Sequence, residues 1–317
     1  MRIRNSAGEP GRLIPALAIA GALAISVAAC GGTSPAAAEE PVASEAPASV
    51  AAESVAPEPS AATTSIQVDQ TIWFAGFKVT FGEATAEITE GRGGTVAIEA
   101  MFENTGSDAA TFDGTLNLSS AGENATEGMG MDIPSVPGGQ TGKGSLVFDV
   151  EDSFTFDDAV LTIGRAENQQ AIVPLTAMAG AAVTQEPVAV AATGDGTAGD
   201  LKLELLGGEY RADQPWSHGQ MEKGSFVLTL SYDATFESDF AGGFAFSAEN
   251  VALKLPDGTT VGVIQDGKSQ SIELIGPNAT VKDAFSRFEI EDPAAGEYAL
   301  LVRSFDNAED EIPFTIK

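Results

Sequence analysis

Residues 95–108 read TVAIEAMFENTGSD, and the alternation in that stretch decides the fold. Val96, Ile98, Ala100 and Phe102 fall on one side of an extended chain, while Glu99 and Glu103 fall on the other. A period of two marks a half-buried strand, and Asn104-Thr105-Gly106 closes it with a turn. The same rhythm runs outward in both directions. Phe77, Val79 and Phe81 alternate with Lys78 and Thr80 upstream. Downstream come Leu116 and Leu118, then Leu146, Phe148 and Val150, then Leu161 and Ile163, then the run IVPL at 172–175. Ser120-Ala121-Gly122 and Pro137-Gly138-Gly139 supply turn signals between the runs. Short alternating strands with no long amphipathic helix predict an antiparallel β-sandwich over 66–176. Gly106, Gly138 and Gly139 supply positions where the backbone can take positive φ at no steric cost.

Residues 177–199, AMAGAAVTQEPVAVAATGDGTAG, break the pattern and read as a linker, with a short strand allowed at 188–190. The alternation then returns over 200–317. Leu201, Leu203 and Leu205 answer Phe77, Val79 and Phe81, and GSFVLTLSYDATFESD at 224–239 answers the opening stretch. Val251, Leu253 and Leu255 lead into the hairpin signal Pro256-Asp257-Gly258. Phe288 and Ile290 precede Tyr298, Leu300 and Val302, and IPFTI at 312–316 parallels 172–175. The fold class expected is therefore all-β, with two tandem immunoglobulin-like antiparallel sandwiches, the second a divergent repeat of the first.

The run FKVTF (77–81), IEAMFENTGS (98–107) and DIPSVPGGQTGKGSLVFDV (132–150) resembles the telokin-like, immunoglobulin-like domains of bacterial lipoproteins of unknown function. The matching pieces are 102–106, 137–139 and 146–150, within about 110 residues. The resemblance implies a sandwich fold and a surface location. It brings no catalytic residue with it.

The amino terminus agrees with that location. Arg2, Arg4 and Arg12 lead into LIPALAIAGALAISVAAC at 13–30, an apolar run closing on small residues before the only cysteine of the chain. This is the layout of a secretory signal peptide over 1–29. Its ending, Val27-Ala28-Ala29-Cys30, resembles a lipobox, which implies cleavage and a diacylglyceryl group on Cys30. Two acyl chains anchor a protein stably in a bilayer where one does not. Residues 30–65 follow as a tether of Ala, Pro, Ser and Glu, too polar and too proline-rich to fold alone. The protein is expected outside the cytoplasm, lipid-anchored to the outer face of the cell membrane.

Composition narrows the function. Lysine and arginine number 16 against 46 acidic residues, a net charge of −30. Nucleic-acid binders carry a basic face, so that class is excluded. With Cys30 committed to lipid, no thiol remains for a disulfide or a thiolate metal site. His218, the one histidine, lies in the polar loop DQPWSHGQMEK (213–223) and reads as solvated; an adjacent Ser217 does not make a hydrolytic pair. Glu151/Asp152, Asp157/Asp158 and Glu309/Asp310/Glu311 read as solvated acids in turns. Trp73 and Trp216 read as edge or core fillers rather than ligand platforms. Calcium is the one metal these loops could suit, through GDGTAGD (194–200) and SFDNAEDE (304–311), although neither has EF-hand spacing. No cofactor and no catalytic site is expected. The reading is a non-catalytic binding or scaffolding module with a protein or cell-wall ligand; the alternatives are a calcium-responsive adhesion module and a glycan-acting hydrolase.

Overall fold

The computed structural model describes residues 60–120 and 126–317. The segments expected to form the leader, Cys30 and the tether as far as residue 59 lie outside the described residues. The described residues belong to one compact unit. Regular structure among the described residues is strand, apart from one turn of 3-10 helix at Ala177–Ala179.

The first ten strands are β1 (Ala62–Gln67), β2 (Thr71–Phe74), β3 (Phe77–Thr89), β4 (Gly93–Asn104), β5 (Leu116–Ser119), β6 (Thr126–Glu127), β7 (Met129–Met131), β8 (Thr141–Val150), β9 (Val160–Ile163) and β10 (Ala171–Pro174). They form two antiparallel sheets, β1-β3-β4-β8-β7 with β2 added beside β3, and β10-β9-β5-β6. The residues picked out by alternation close the space between them. Val79, Val96, Ile98, Phe102, Leu146 and Phe148 from one sheet meet Leu116, Leu118, Leu161 and Ile163 from the other, all buried.

The remaining strands are β11 (Val188–Val190), β12 (Gly194–Ala198), β13 (Leu201–Arg211), β14 (Asp213–Gln214), β15 (Gly219–Gln220), β16 (Ser225–Phe236), β17 (Phe244–Ala245), β18 (Val251–Lys254), β19 (Thr260–Gly262), β20 (Leu274–Ile275), β21 (Ala279–Glu291), β22 (Gly296–Arg303) and β23 (Glu309–Ile316). Here the large sheets are β11-β13-β16-β21, with β12 also on β13, and β19-β18-β22-β23. They enclose a second core built on Leu203, Leu228, Tyr232, Phe288, Leu300 and Ile312. The connectivity repeats: β3-β4-β8 corresponds to β13-β16-β21, and β6-β5-β9-β10 to β19-β18-β22-β23.

Several expectations change at the edges. The last residues assigned to the tether are not loose, because β1 pairs with β3 from Ala62↔Ile88 to Gln67↔Glu83. The linker forms the short strand allowed at 188–190, β11, and adds the unforeseen β12, both laid on β13. In each case a small-residue segment with little apolar signal is ordered by backbone donors and acceptors on an open sheet edge. Of the three turn glycines, only Gly139 has positive φ, +67°. Gly138 is needed for space, since a Cβ there would lie 2.3 Å from the Ser107 carbonyl oxygen. Glu309, Asp310 and Glu311 lie in β23 rather than a turn, so Asp310 points opposite to its neighbours.

Candidate functional site

The two sheet pairs meet at the segment running from Arg211 to Gln220. It docks on two turns of the first pair. One is the two-residue turn Ala75-Gly76 between β2 and β3, with φ of +49° and +80°. The other is Thr105-Gly106 at the end of β4. A Cβ on Gly106 would lie 2.4 Å from the Pro215 carbonyl oxygen, and one on Gly76 would lie 2.9 Å from the Pro215 Cα. Bare backbone at both turns lets the loop approach this closely.

Polar groups then fix the contact. The amide of Gly76 donates to Asp213 Oδ2 at 2.7 Å, and that of Ala75 to Gln220 Oε1 at 2.8 Å. Arg211 grips the same Asp213 through Nε (2.7 Å) and Nη2 (3.3 Å) and donates to Thr105 Oγ1 at 3.1 Å. Asp213 is buried. Burial opposes the Arg211 charge, but Asp213 and Glu209 outweigh it and hold the guanidinium above its ordinary range. Below this pair, Gln220 Nε2 donates to the Gln169 carbonyl and Asn168 Nδ2 to the Gln220 carbonyl.

His218 belongs to this junction and is not solvated. Its ring packs against Phe77 with centroids 5.8 Å apart, and both ring nitrogens are buried without a hydrogen-bond partner in the protein. Ser217 is exposed and donates to Gln214, not to the histidine.

Beside the junction lies a groove of about 540 Å³, floored by the outer face of the β13-β16-β21 sheet. Register sets that face: Glu209 stands opposite Thr229, which stands opposite Arg287, and Gly207 opposite Ser231. Leu206 faces outward into the groove by the alternation of β13, and the bulge between Leu205 and Gly207 brings Gly207 and Glu209 to the same outer face. Thr105, Gly106 and Ser107 wall it from the first sheet pair, and Pro215 and Trp216 from the second. The Arg287 guanidinium lies between two rings, 3.9 Å from the Trp216 centroid and 4.2 Å from that of Phe285. Trp216 is held in place by its indole N–H, which donates to Asp266 Oδ2 at 3.1 Å.

Arg287 differs from Arg211 in its partners. Its Nη1 donates to the Lys268 carbonyl at 2.5 Å, its Nε is buried with no acceptor, and no carboxylate lies within ion-pair distance among the described residues. Burial pushes it down to about 10, against the pull of Asp266, so it remains a cation at neutral pH. Sequence reasoning singled out neither arginine, and Trp216, read as an edge or core filler, lies half-buried at the edge of the groove against Arg287. Nothing in local patterning distinguishes Arg287 from any outward residue of a strand.

The acidic candidates scatter. Asp152 accepts the Gly91 amide, Asp158 accepts Ser120 and Thr155, and Glu309 and Glu311 pair with Arg303 and Lys254. Trp73 lies half-buried on β2 beneath Lys78. The two calcium-candidate loops do converge, since the Thr197 amide donates to Asp310 Oδ2. Asp306 is occupied by Ser304 and Ala308 of its own loop. Among the described residues no group of three His, Cys, Asp or Glu side chains is placed to hold a metal ion. No helix among them is long and apolar enough to cross a membrane.

Comparison with protein-family models and with curated proteins finds no match. The chain is similar to a solved structure described as the conserved domain protein from Bacillus anthracis, at 14% identity over 80% of this chain and 90% of that one, with a TM-score of 0.23.

Proposed function

We propose that the protein is a membrane-anchored extracytoplasmic lipoprotein, tethered through Cys30, that works as a non-catalytic binding module. Its two sheet pairs are read as tandem immunoglobulin-like domains of the telokin-like kind, and its ligand seat is the groove at their junction. One observation supports the reading: in a chain of net charge −30, the groove holds Arg287 stacked on aromatic rings with no carboxylate within ion-pair distance among the described residues. A guanidinium in that setting suits a carboxylate or another oxyanion. Ser107, Thr229 and Ser231 add hydroxyls for a polar ligand such as an acidic cell-wall glycan.

Trp216 lines the groove, so its fluorescence reports occupancy. In the mature chain carrying Trp73→Phe, titration with glucuronate is expected to give a saturable change that Arg287→Ala removes. An identical response in the Arg287→Ala variant would defeat the assignment. Mass spectrometry of the mature amino terminus tests the anchor separately: a diacylglyceryl cysteine is expected, and an unmodified one would rule the anchor out.

A further inference from the structure

β13 carries the chain from Leu201 to Arg211, so its Leu201 end, opposite the junction, lies roughly 33 Å along the strand from Arg211 and roughly 17 Å from Leu206 at the near edge of the groove. Three loops meet there: the turn between β12 and β13, the β16–β17 connection, and the β22–β23 turn. They enclose a cleft of about 530 Å³, a size that suits a small organic ligand.

Its lining is unlike the rest of the surface. Phe240 and Phe305 are 65% and 66% exposed. The Phe305 ring stacks on buried Phe244 with centroids 4.5 Å apart and planes at 25°. Phe244 in turn rests on Phe236 in the core, 5.6 Å away, so the aromatic wall is rigidly backed. Isolated exposed apolar residues need no explanation, but rings converging on one cleft do. The polar lining has a single sign: Asp200 and Asp306 contribute carboxylates, and no Lys, Arg or His lines the space. Hydrogen bonds from the Ser304 hydroxyl and the Ala308 amide hold the Asp306 carboxylate below its usual range.

We propose that this cleft binds an organic cation of the quaternary-ammonium type, with its methyl groups against Phe240 and Phe305 and its charge facing Asp200 and Asp306. Such a cation cannot donate a hydrogen bond, so it is recognised by the negative faces of aromatic rings and by nearby anions. Both are present, and charge complementarity selects the occupant. A bare metal ion would gain nothing from the rings, and an anion would be repelled.

The test is ligand-observed NMR on the full mature chain with choline, set against its neutral tert-butyl isostere. Choline is expected to bind about tenfold more tightly than the isostere, the ratio that a cation–π contribution of about 1.4 kcal/mol produces. Phe305→Ala and Asp306→Asn should each weaken choline about three- to tenfold and leave the isostere nearly unchanged for Asp306→Asn. Arg287→Ala, in the junction groove, should have no effect. Equal binding of choline and isostere, absence of saturable choline binding, or full binding in both variants would overturn the proposal. Because Phe305 and Asp306 are exposed, both variants should keep the wild-type melting temperature, which is checked first.

Discussion

Asn104 shows what a single side chain does in this protein. It is fully buried at the end of β4, donates from Nδ2 to the carbonyls of Asp108 (2.7 Å) and Val136 (2.8 Å), and accepts the Gly106 amide at Oδ1. Replacement by Ala would take the donor from the Asp108 carbonyl, leave the Val136 carbonyl with the Ala110 amide alone, and strip the Gly106 amide of its acceptor. Asn104→Ala is expected to lower stability by about 2–3 kcal/mol, read by chemical denaturation. The motif Asn-Thr-Gly was legible as a turn from the sequence. That the amide staples three backbone groups was not, because Val136 is 32 residues away. Tyr232 gives a prediction in pH. Its phenol is fully buried, bonded to Ser286 Oγ at 2.7 Å, and burial raises its pKa well above the ordinary value of 10.0. The unfolded chain therefore loses this proton first as pH rises past about 10, and folding stability falls from there towards the folded-state pKa. Thermal melts between pH 9 and about 11 should show that decline, and Tyr232→Phe should flatten it.

At the scale of elements, the decisive feature is the docking of the 211–220 segment on the turns at Gly76 and Gly106. Gly106→Ala would force a Cβ against the Pro215 carbonyl with no flexible side chain to give way. It is expected to destabilise by about 2–3 kcal/mol, whereas Gly91→Ala, with open space around it, should be limited to backbone strain of about 1 kcal/mol. Asp213→Asn strikes the same junction by leaving Arg211 half-buried without its main counter-ion, a loss of about 3 kcal/mol. Calorimetry of the three variants orders them. Strands with a buried side chain at every second place along most of their length, such as β3, β4 and β16, were legible because burial writes itself into residue type. The strands at Ala62–Gln67 and Gly194–Ala198 were not, because they are held by backbone pairing alone. The β2–β3 hairpin also escaped, since its turn uses Ala75 where Asn or Asp usually marks such a position.

For the whole molecule, the charge of −30 and the uneven placement of its few cations matter most. Arg211 and Arg287 line one groove, while the aromatic cleft carries carboxylates alone. Which arginines gather there depends on the register of three strands across eighty residues, and no local pattern encodes it. Calcium is expected to leave the melting temperature unchanged relative to chelator, because Asp310 accepts the Thr197 amide and Asp306 accepts the Ala308 amide of its own loop; a rise on adding calcium would reopen a mass-action role for the ion.

One proline draws a last consequence. β10 lies at the rim of its sheet, and Ile172 turns its N–H away from β9 towards the Val183 carbonyl. Two residues on, the next outward donor would belong to Pro174, which has none. Pro313 occupies the matching place in β23, the rim of the corresponding sheet. A stray strand from a neighbouring copy therefore finds interrupted ladders at both margins. Neighbouring molecules at high concentration are thereby discouraged from zipping into fibres.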